Sequence, residues 1–191
     1  MAKTKKADRP PYRILGVDPG TNLLGFALLH VDGKKLTVGE MGVIRLSKFP
    51  SHAERLQRIF ERLKQVIFNN KPQQMAIEAP FFGKNPQSML KLGRAQGVAI
   101  AAGMTSRLEV EEYSPRKIKQ AVTGNGNASK EQVVAMMEQE LKIDLSDQIL
   151  DATDALATAV CHYYQTRNSF GKGKSYKGWG DFLKNNPGRK G

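Results

Sequence analysis

The segment Arg13-Ile-Leu-Gly-Val-Asp-Pro-Gly-Thr21 constrains this chain more than any other. Ile14, Leu15, Gly16 and Val17 have strand character and run without a polar break into Asp18, and Pro19-Gly20 then turns the chain at once. A buried strand thus delivers a carboxylate to its own end. Asp is depleted in strands, and an ionised carboxylate at the rim of an apolar core is costly unless a cation sits on it. A metal ion is the economical candidate; a turn aspartate opening a Pro-Gly turn accounts for the same letters. Whether other carboxylates reach the same place decides between the two.

Downstream, Leu23 to Val31 reads as a strand, Asp32-Gly33 as a hairpin turn, and Leu36 to Ile44 as its antiparallel return. The chain therefore opens with a three-stranded meander whose first strand carries Asp18. From Pro50 the period becomes helical. Leu56, Ile59, Phe60, Leu63, Val66 and Ile67 form one stripe, Ser51 is the predicted N-cap and Lys71-Pro72 the stop. Gln74-Met-Ala-Ile-Glu78 is a second short strand ending on a carboxylate before a breaker, Ala79-Pro80. Strand, crossover helix and parallel strand place Asp18 and Glu78 at comparable carboxyl ends of neighbouring strands, the functional rim of such sheets. Phe81-Phe82-Gly83 follows, read either as core packing or as a surface on which a base stacks.

A helix over Pro86 to Met104 carries Gly93, Gly97 and Ala101 four residues apart. Glycine inside a helix costs about 1 kcal/mol relative to Ala, so close approach of the sheet or of a second subunit is expected. Leu108 to Tyr113 reads as a strand, and Ser114-Pro115 caps a short helix bearing Arg116, Lys117 and Lys119. The loop Thr123-Gly-Asn-Gly-Asn-Ala128 offers free backbone amides suited to phosphate contact. A helix from Ser129 to about Leu141 has Lys130 in its first turn and Glu131 near capping-box spacing. Finally, Asp151-Ala-Thr-Asp154 begins a helix on which both aspartates share a face. Capping explains one of them; it leaves the second, with the small Ala155, Ala157 and Ala159 behind it, unaccounted for. His162 lies about 16 Å further along the axis at 1.5 Å per residue and is excluded from the site.

Length and charge bound the possibilities. With 191 residues, 40% of them hydrophobic, the chain forms one domain, and its single cysteine, Cys161, fits a reducing compartment. No apolar run approaches a membrane span of about 20 residues and no secretory signal opens the chain, so a cytoplasmic location without membrane contact is expected. Of the formal net charge of +12, much lies at the ends. Residues 1–12 carry four basic residues against Asp8, and residues 166–191 carry seven against Asp181, leaving nineteen basic and sixteen acidic residues in 13–165. The ends read as a disordered basic arm (1–12) and a basic, disordered tail (166–191) flanking one folded domain (13–165). Within that domain Lys84, Lys91, Arg94, Arg107, Arg116, Lys117 and Lys119 face only three glutamates between residues 84 and 119, the pattern of a basic face.

In this order, Ile-Leu-Gly-Val-Asp18-Pro-Gly-Thr, Ala-Ile-Glu78 with Phe81, Leu90-Lys-Leu-Gly-Arg-Ala-Gln-Gly-Val-Ala99, Glu-Tyr113, Lys119-Gln, the loop from Gly124 to Lys130 and Asp151-Ala-Thr-Asp154-Ala-Leu-Ala closely resemble the RuvC family of bacterial Holliday-junction resolvases. The resemblance runs from about residue 13 to 165. It implies an α/β, ribonuclease H-like fold, a five-stranded mixed sheet flanked by helices, and a homodimer that nicks opposing strands of a four-way DNA junction in recombination and repair. It makes Asp18, Glu78, Asp151 and Asp154 a catalytic and metal-binding quartet for two Mg²⁺ ions, with Mn²⁺ able to substitute. Phe81 is then the aromatic that stacks on a junction base. Lys119 and Lys130 lie near the scissile phosphate, with Lys84, Arg116 and Lys117 as further DNA contacts, and RuvA and RuvB are the implied partners. Pro80, Phe82 and both terminal segments depart from the family pattern.

Four converging carboxylates would repel and force some to protonate, and hard divalent cations relieve this. No cysteine and histidine set suggests zinc, and no serine, histidine and acid set suggests a covalent nucleophile. Three rivals remain open: an actin-like or sugar-kinase ATPase, which requires a second such subdomain; a non-catalytic DNA-binding module; and a ribonuclease H-like nuclease acting on RNA.

Overall fold

A computed structural model of the chain describes residues 10–80 and 85–169. Its first strand, β1 (Tyr12–Asp18), is the centre of the sheet because its side chains are apolar towards both faces. Ile14 enters one core, while Leu15 and Val17 enter the other, as period-2 alternation requires. Antiparallel to it runs β2 (Leu23–Asp32), followed by β3 (Lys35–Arg45), with Asp32 opposite Lys35 across a two-residue turn in which Gly33 takes a φ of 57°. The expected meander is present.

Helix α1 (His52–Asn70) crosses over to β4 (Gln74–Glu78), which pairs parallel with β1. Its start is fixed by a capping box: the Glu54 amide donates to Ser51 Oγ at 3.2 Å, and the Ser51 amide donates to Glu54 Oε2 at 3.0 Å. Ile59, Leu63, Val66 and Ile67 form its buried stripe. Helix α2 (Pro86–Met104), capped by Asn85, leads to β5 (Glu109–Tyr113), parallel to β4. Then follow α3 (Pro115–Thr123), α4 (Lys130–Leu141) and α5 (Leu150–Ser169). The strand order is β3-β2-β1-β4-β5. Residues of α1 and α2 close one face of the sheet, and those of α3, α4 and α5 the other.

Two local expectations need correction. The α4 capping box is closed by Gln132, whose side-chain oxygen accepts from the Ser129 amide at 2.9 Å; Glu131 stands one position short of the third helical residue that can reach back. On α2, the glycine in contact with the sheet is Gly103, where an added Cβ would come within 2.6 Å of Met75 Sδ. Gly93, Gly97 and Ala101 are exposed, and side chains at the two glycines would meet nothing within 4 Å. The stripe therefore does not pack on the sheet.

Candidate active site

The parallel register sets Val17 beside Ile77, so Asp18 and Glu78 emerge together at the carboxyl rim. On the other side of Asp18, β2 contributes Gly25 as its direct partner. Above these strands lies α5, and two glycines admit it. A methyl group on Gly25 would overlap the backbone carbonyl of Asp151, and one on Gly16 would overlap that of Ala155, one helical turn along. Ala159 continues the contact, its Cβ 3.0 Å from a Cβ built on Gly16. The first turns of α5 thus lie directly on β1 and β2, which brings Asp151 and Asp154 over the rim that bears Asp18 and Glu78. Sequence reasoning misses Gly16 and Gly25 as site residues; the small residues at 155, 157 and 159 are the signal of the close approach they share.

The electrostatics follow from this convergence. Burial, then the negative fields of Glu78, Asp154 and Asp151, push the Asp18 carboxyl from 3.8 up to about 8, with Lys130 opposing. Burial and Asp154 push Glu78 up to about 7, against Lys130 and Lys119. Two of the four acids therefore retain protons near neutrality in the absence of a cation. Lys130 partly meets the demand: its Nζ donates to Asp154 Oδ2 at 2.6 Å, and that hydrogen bond raises its own pKa. Among the described residues no three acidic, histidine or cysteine side chains stand close enough as placed to hold one ion. The quartet shares a rim and a field, and Lys130 engages only one oxygen of Asp154. The donor set fits a hard cation, being all carboxylate oxygen and short of positive charge.

A cleft of about 310 Å³ opens beside the acids, lined by Glu78, Lys119, Lys130 and Asp154 over an apolar floor that includes Ile118 and Val133. It brings two of the predicted basic residues to the acids. Arg116 is exposed and lies over Gly126, its Nε 3.3 Å from where a Cβ would stand. Lys117 is also exposed, with its ammonium 4.9 Å from the centre of the Tyr113 ring and outside the cleft lining. Phe81, Phe82 and Lys84, expected near the DNA, lie outside the described residues.

The loop after α3 overturns one expectation. Its amides are not free. Gly124 donates to the Gln120 carbonyl, Asn125 to Thr123 Oγ1, Gly126 to Gln120 Oε1, Asn127 to Asn125 Oδ1 and Ala128 to the Asn125 carbonyl. Short polar side chains supply local acceptors, so the backbone is satisfied internally and phosphate contact falls to side chains instead. His162 is also accounted for without chemistry. Its Nδ1 is 2.8 Å from the Tyr113 hydroxyl and its Nε2 3.2 Å from Gln74 Oε1; burial lowers its pKa to about 4. The Gln74 amide nitrogen donates to Glu109, which leaves its oxygen to accept. Neutral His162 therefore carries its proton on Nε2 and accepts from Tyr113, tying α5 to β4 and β5.

The sheet order, with helices on both faces, defines a ribonuclease H-like protein whose acids gather at the carboxyl rim. Residues 14–162 match the family described as crossover junction endodeoxyribonuclease RuvC. Among curated relatives, the RuvC of Christiangramia forsetii is 55% identical over 177 residues, covering 91% of this chain and 90% of the relative. That of Cytophaga hutchinsonii is 56% identical over 174 residues, covering 91% and 86%. Among solved structures, Thermus thermophilus RuvC in complex with Holliday junction substrate superposes with a TM-score of 0.78 at 30% identity, over 83% of this chain and 96% of that one. The yeast mitochondrial Holliday junction resolvase Ydc2 shares the fold, with a TM-score of 0.60 at 13% identity, over 85% and 86%. The chain belongs to the RuvC family.

Proposed function

We propose that this chain is a structure-selective endodeoxyribonuclease that resolves four-way DNA junctions by paired nicks. The observation that carries the proposal is the seating of Asp151 and Ala155 of α5 on Gly25 and Gly16, which sets Asp151 and Asp154 over the strand ends bearing Asp18 and Glu78, with Lys119 and Lys130 in the adjoining cleft. The capture of a Holliday junction substrate by the T. thermophilus relative supports the choice of DNA. An ATPase of the actin-like kind requires a second subdomain, and the described residues form a single five-stranded sheet.

In this reading Asp18, Glu78, Asp151 and Asp154 hold two Mg²⁺ ions, with Mn²⁺ able to replace them. Divalent cations at such a rim supply Lewis-acid stabilisation of the charge that builds on a phosphodiester during in-line displacement. Lys119 and Lys130, lining the cleft, take non-bridging phosphate oxygens, and the partly apolar floor limits water around the reacting phosphorus. The partial burial of Asp18 and Glu78 keeps their charge demand high, so they favour cations over solvent.

Cutting two strands of a two-fold junction requires two copies of the site. The exposed stripe Gly93, Gly97 and Ala101, flanked on the same face by exposed Leu90 and Met104, supports an isologous homodimer through α2. RuvA and RuvB belong to this reading as partners. The test incubates the protein and Mg²⁺ with a labelled four-way junction, a linear duplex and an RNA:DNA hybrid. Junction cleavage by the wild type, abolished by Asp18→Asn with junction binding retained, is expected. Preferential cutting of the hybrid, or substantial cutting by Asp18→Asn, overturns the reading.

A further inference from the structure

The α1 and α2 side of the same rim carries a second concentration of charge. Arg55, in the first turn of α1, donates from Nε to the Phe49 carbonyl at 3.0 Å, and from Nη1 to the Thr21 carbonyl at 3.1 Å and Asn22 Oδ1 at 3.0 Å. The start of α1 is thereby fastened to the turn that follows Asp18. His52, the first residue of α1, is lowered in pKa by burial and then by the positive fields of Arg94, Lys91 and Arg55. Its Nε2 is buried and has no hydrogen-bond partner. Lys48 stands close by in sequence, its ammonium 5.5 Å from the Phe49 ring centre. The nearby acid, Glu54, is engaged by the Ser51 amide in the capping box.

Among the described residues no carboxylate answers Lys48, Lys91 or Arg94. Among the described residues Lys130 and Asp154 form the one ion pair, so Lys48, Lys91 and Arg94 have no acidic oxygen within 4 Å, and all three are exposed. Three exposed cations with no carboxylate partner among the described residues constitute a site short of negative charge, at a rim built to meet a polyanion. The patch lies on the face opposite Lys119 and Lys130, because α1 and α2 close one side of the sheet and α3 and α4 the other.

We infer that Lys91 and Arg94, with Lys48, bind the phosphodiester backbone of a DNA arm on the α1 and α2 side of the rim. The scissile strand is then gripped from both faces of the sheet, by this patch and by the cleft of Lys119 and Lys130. The inference rests on the reading of the chain as a DNA nuclease and adds to it the path of the substrate beyond the acids. Lysine and arginine contribute phosphate contacts that carry no sequence information.

The test measures full-length protein binding to a four-way junction, without divalent cations, between about 50 and 200 mM salt. Lys91→Ala/Arg94→Ala is expected to lower the slope of log affinity against log salt by about 1.8, at about 0.9 per lost contact, with roughly tenfold or greater loss of affinity near 0.1 M. Lys34→Ala/Lys35→Ala, at the exposed hairpin turn on the opposite end of the sheet, serves as control and is expected to leave the slope unchanged. A patch variant with wild-type slope and affinity overturns the inference, as does an equal loss in the control. If the double variant fails to melt cooperatively, Lys48→Ala, on the exposed turn before α1, decides: a slope lowered by about 0.9 supports the patch, and unchanged slope and affinity overturn it. A wild type that binds with the salt dependence described but cuts no junction sinks the proposed function while leaving the patch in place.

Discussion

Two pairs of glycines sit in opposite surroundings. Gly16 and Gly25, on adjacent strands, lie against the backbone of α5, and any side chain there would occupy space already held by the carbonyls of Ala155 and Asp151. Gly93 and Gly97, one turn apart on α2, face outwards with nothing within 4 Å. The first pair lets a helix approach the sheet closely enough to set two aspartates over two strand ends. The second costs helix stability and meets nothing among the described residues, which is what the proposed α2 interface needs. One residue type thus marks both an internal seat and an external surface, and the difference lies in which neighbour arrives.

Gly25→Ala strikes hardest at the internal seat. The added methyl must displace α5 backbone, so the variant is expected to lose about 3 kcal/mol or more of stability and at least a hundredfold in junction cleavage, because Asp151 moves with the helix. Thermal melting and a single-turnover assay check it. Near-normal stability with full cleavage would show that α5 does not need its seat.

A second prediction concerns what that seat costs. Folded Asp18 and Glu78, at about 8 and about 7, hold protons that the unfolded chain, with values near 3.8 and 4.5, releases. Between about pH 4 and pH 8 the folded state therefore binds more protons, and stability falls as pH rises. In chelator, the wild-type melting temperature is expected to drop from pH 5 to pH 8. Asp18→Asn should flatten that drop, making the variant the more stable of the two at pH 8. Melting temperatures that rise over this window would show that the acids do not share a site.

The smallest effect belongs to the outer pair. Gly97→Ala is expected to raise the stability of the dissociated monomer by about 1 kcal/mol, the helix-propensity difference, where the same change at Gly25 is destructive. Gly93→Leu/Gly97→Leu should leave the monomer folded yet weaken self-association in sedimentation. If those leucines unfold the chain, or leave association untouched, the outer stripe is not an interface.

Much of the site is legible in the residues alone. Asp18 and Glu78 stand out because each ends an apolar strand just ahead of a Pro-containing turn, and Asp151 and Asp154 because they share a helix face in excess of what capping needs. Ser51, Ser114 and Ser129 mark the starts of their helices correctly. Less legible are the glycine loop, whose amides are consumed by Gln120, Thr123 and Asn125, and the box at α4, closed by Gln132 rather than Glu131. Each miss turns on where a side chain points, which spacing does not specify.

Strand alternation, helical stripes and N-caps are properties of a few neighbouring residues, so the elements and the acids they carry follow from local patterning. Four further outcomes required the folded chain: that α5 rests on Gly16 and Gly25, that Lys130 occupies Asp154, that Gly93 and Gly97 face outwards, and that Lys48, Lys91 and Arg94 have no carboxylate partner among the described residues. Those outcomes depend on contacts between segments far apart in the chain. Close approach and unpaired charge are relations between surfaces, and they exist only once the surfaces have met.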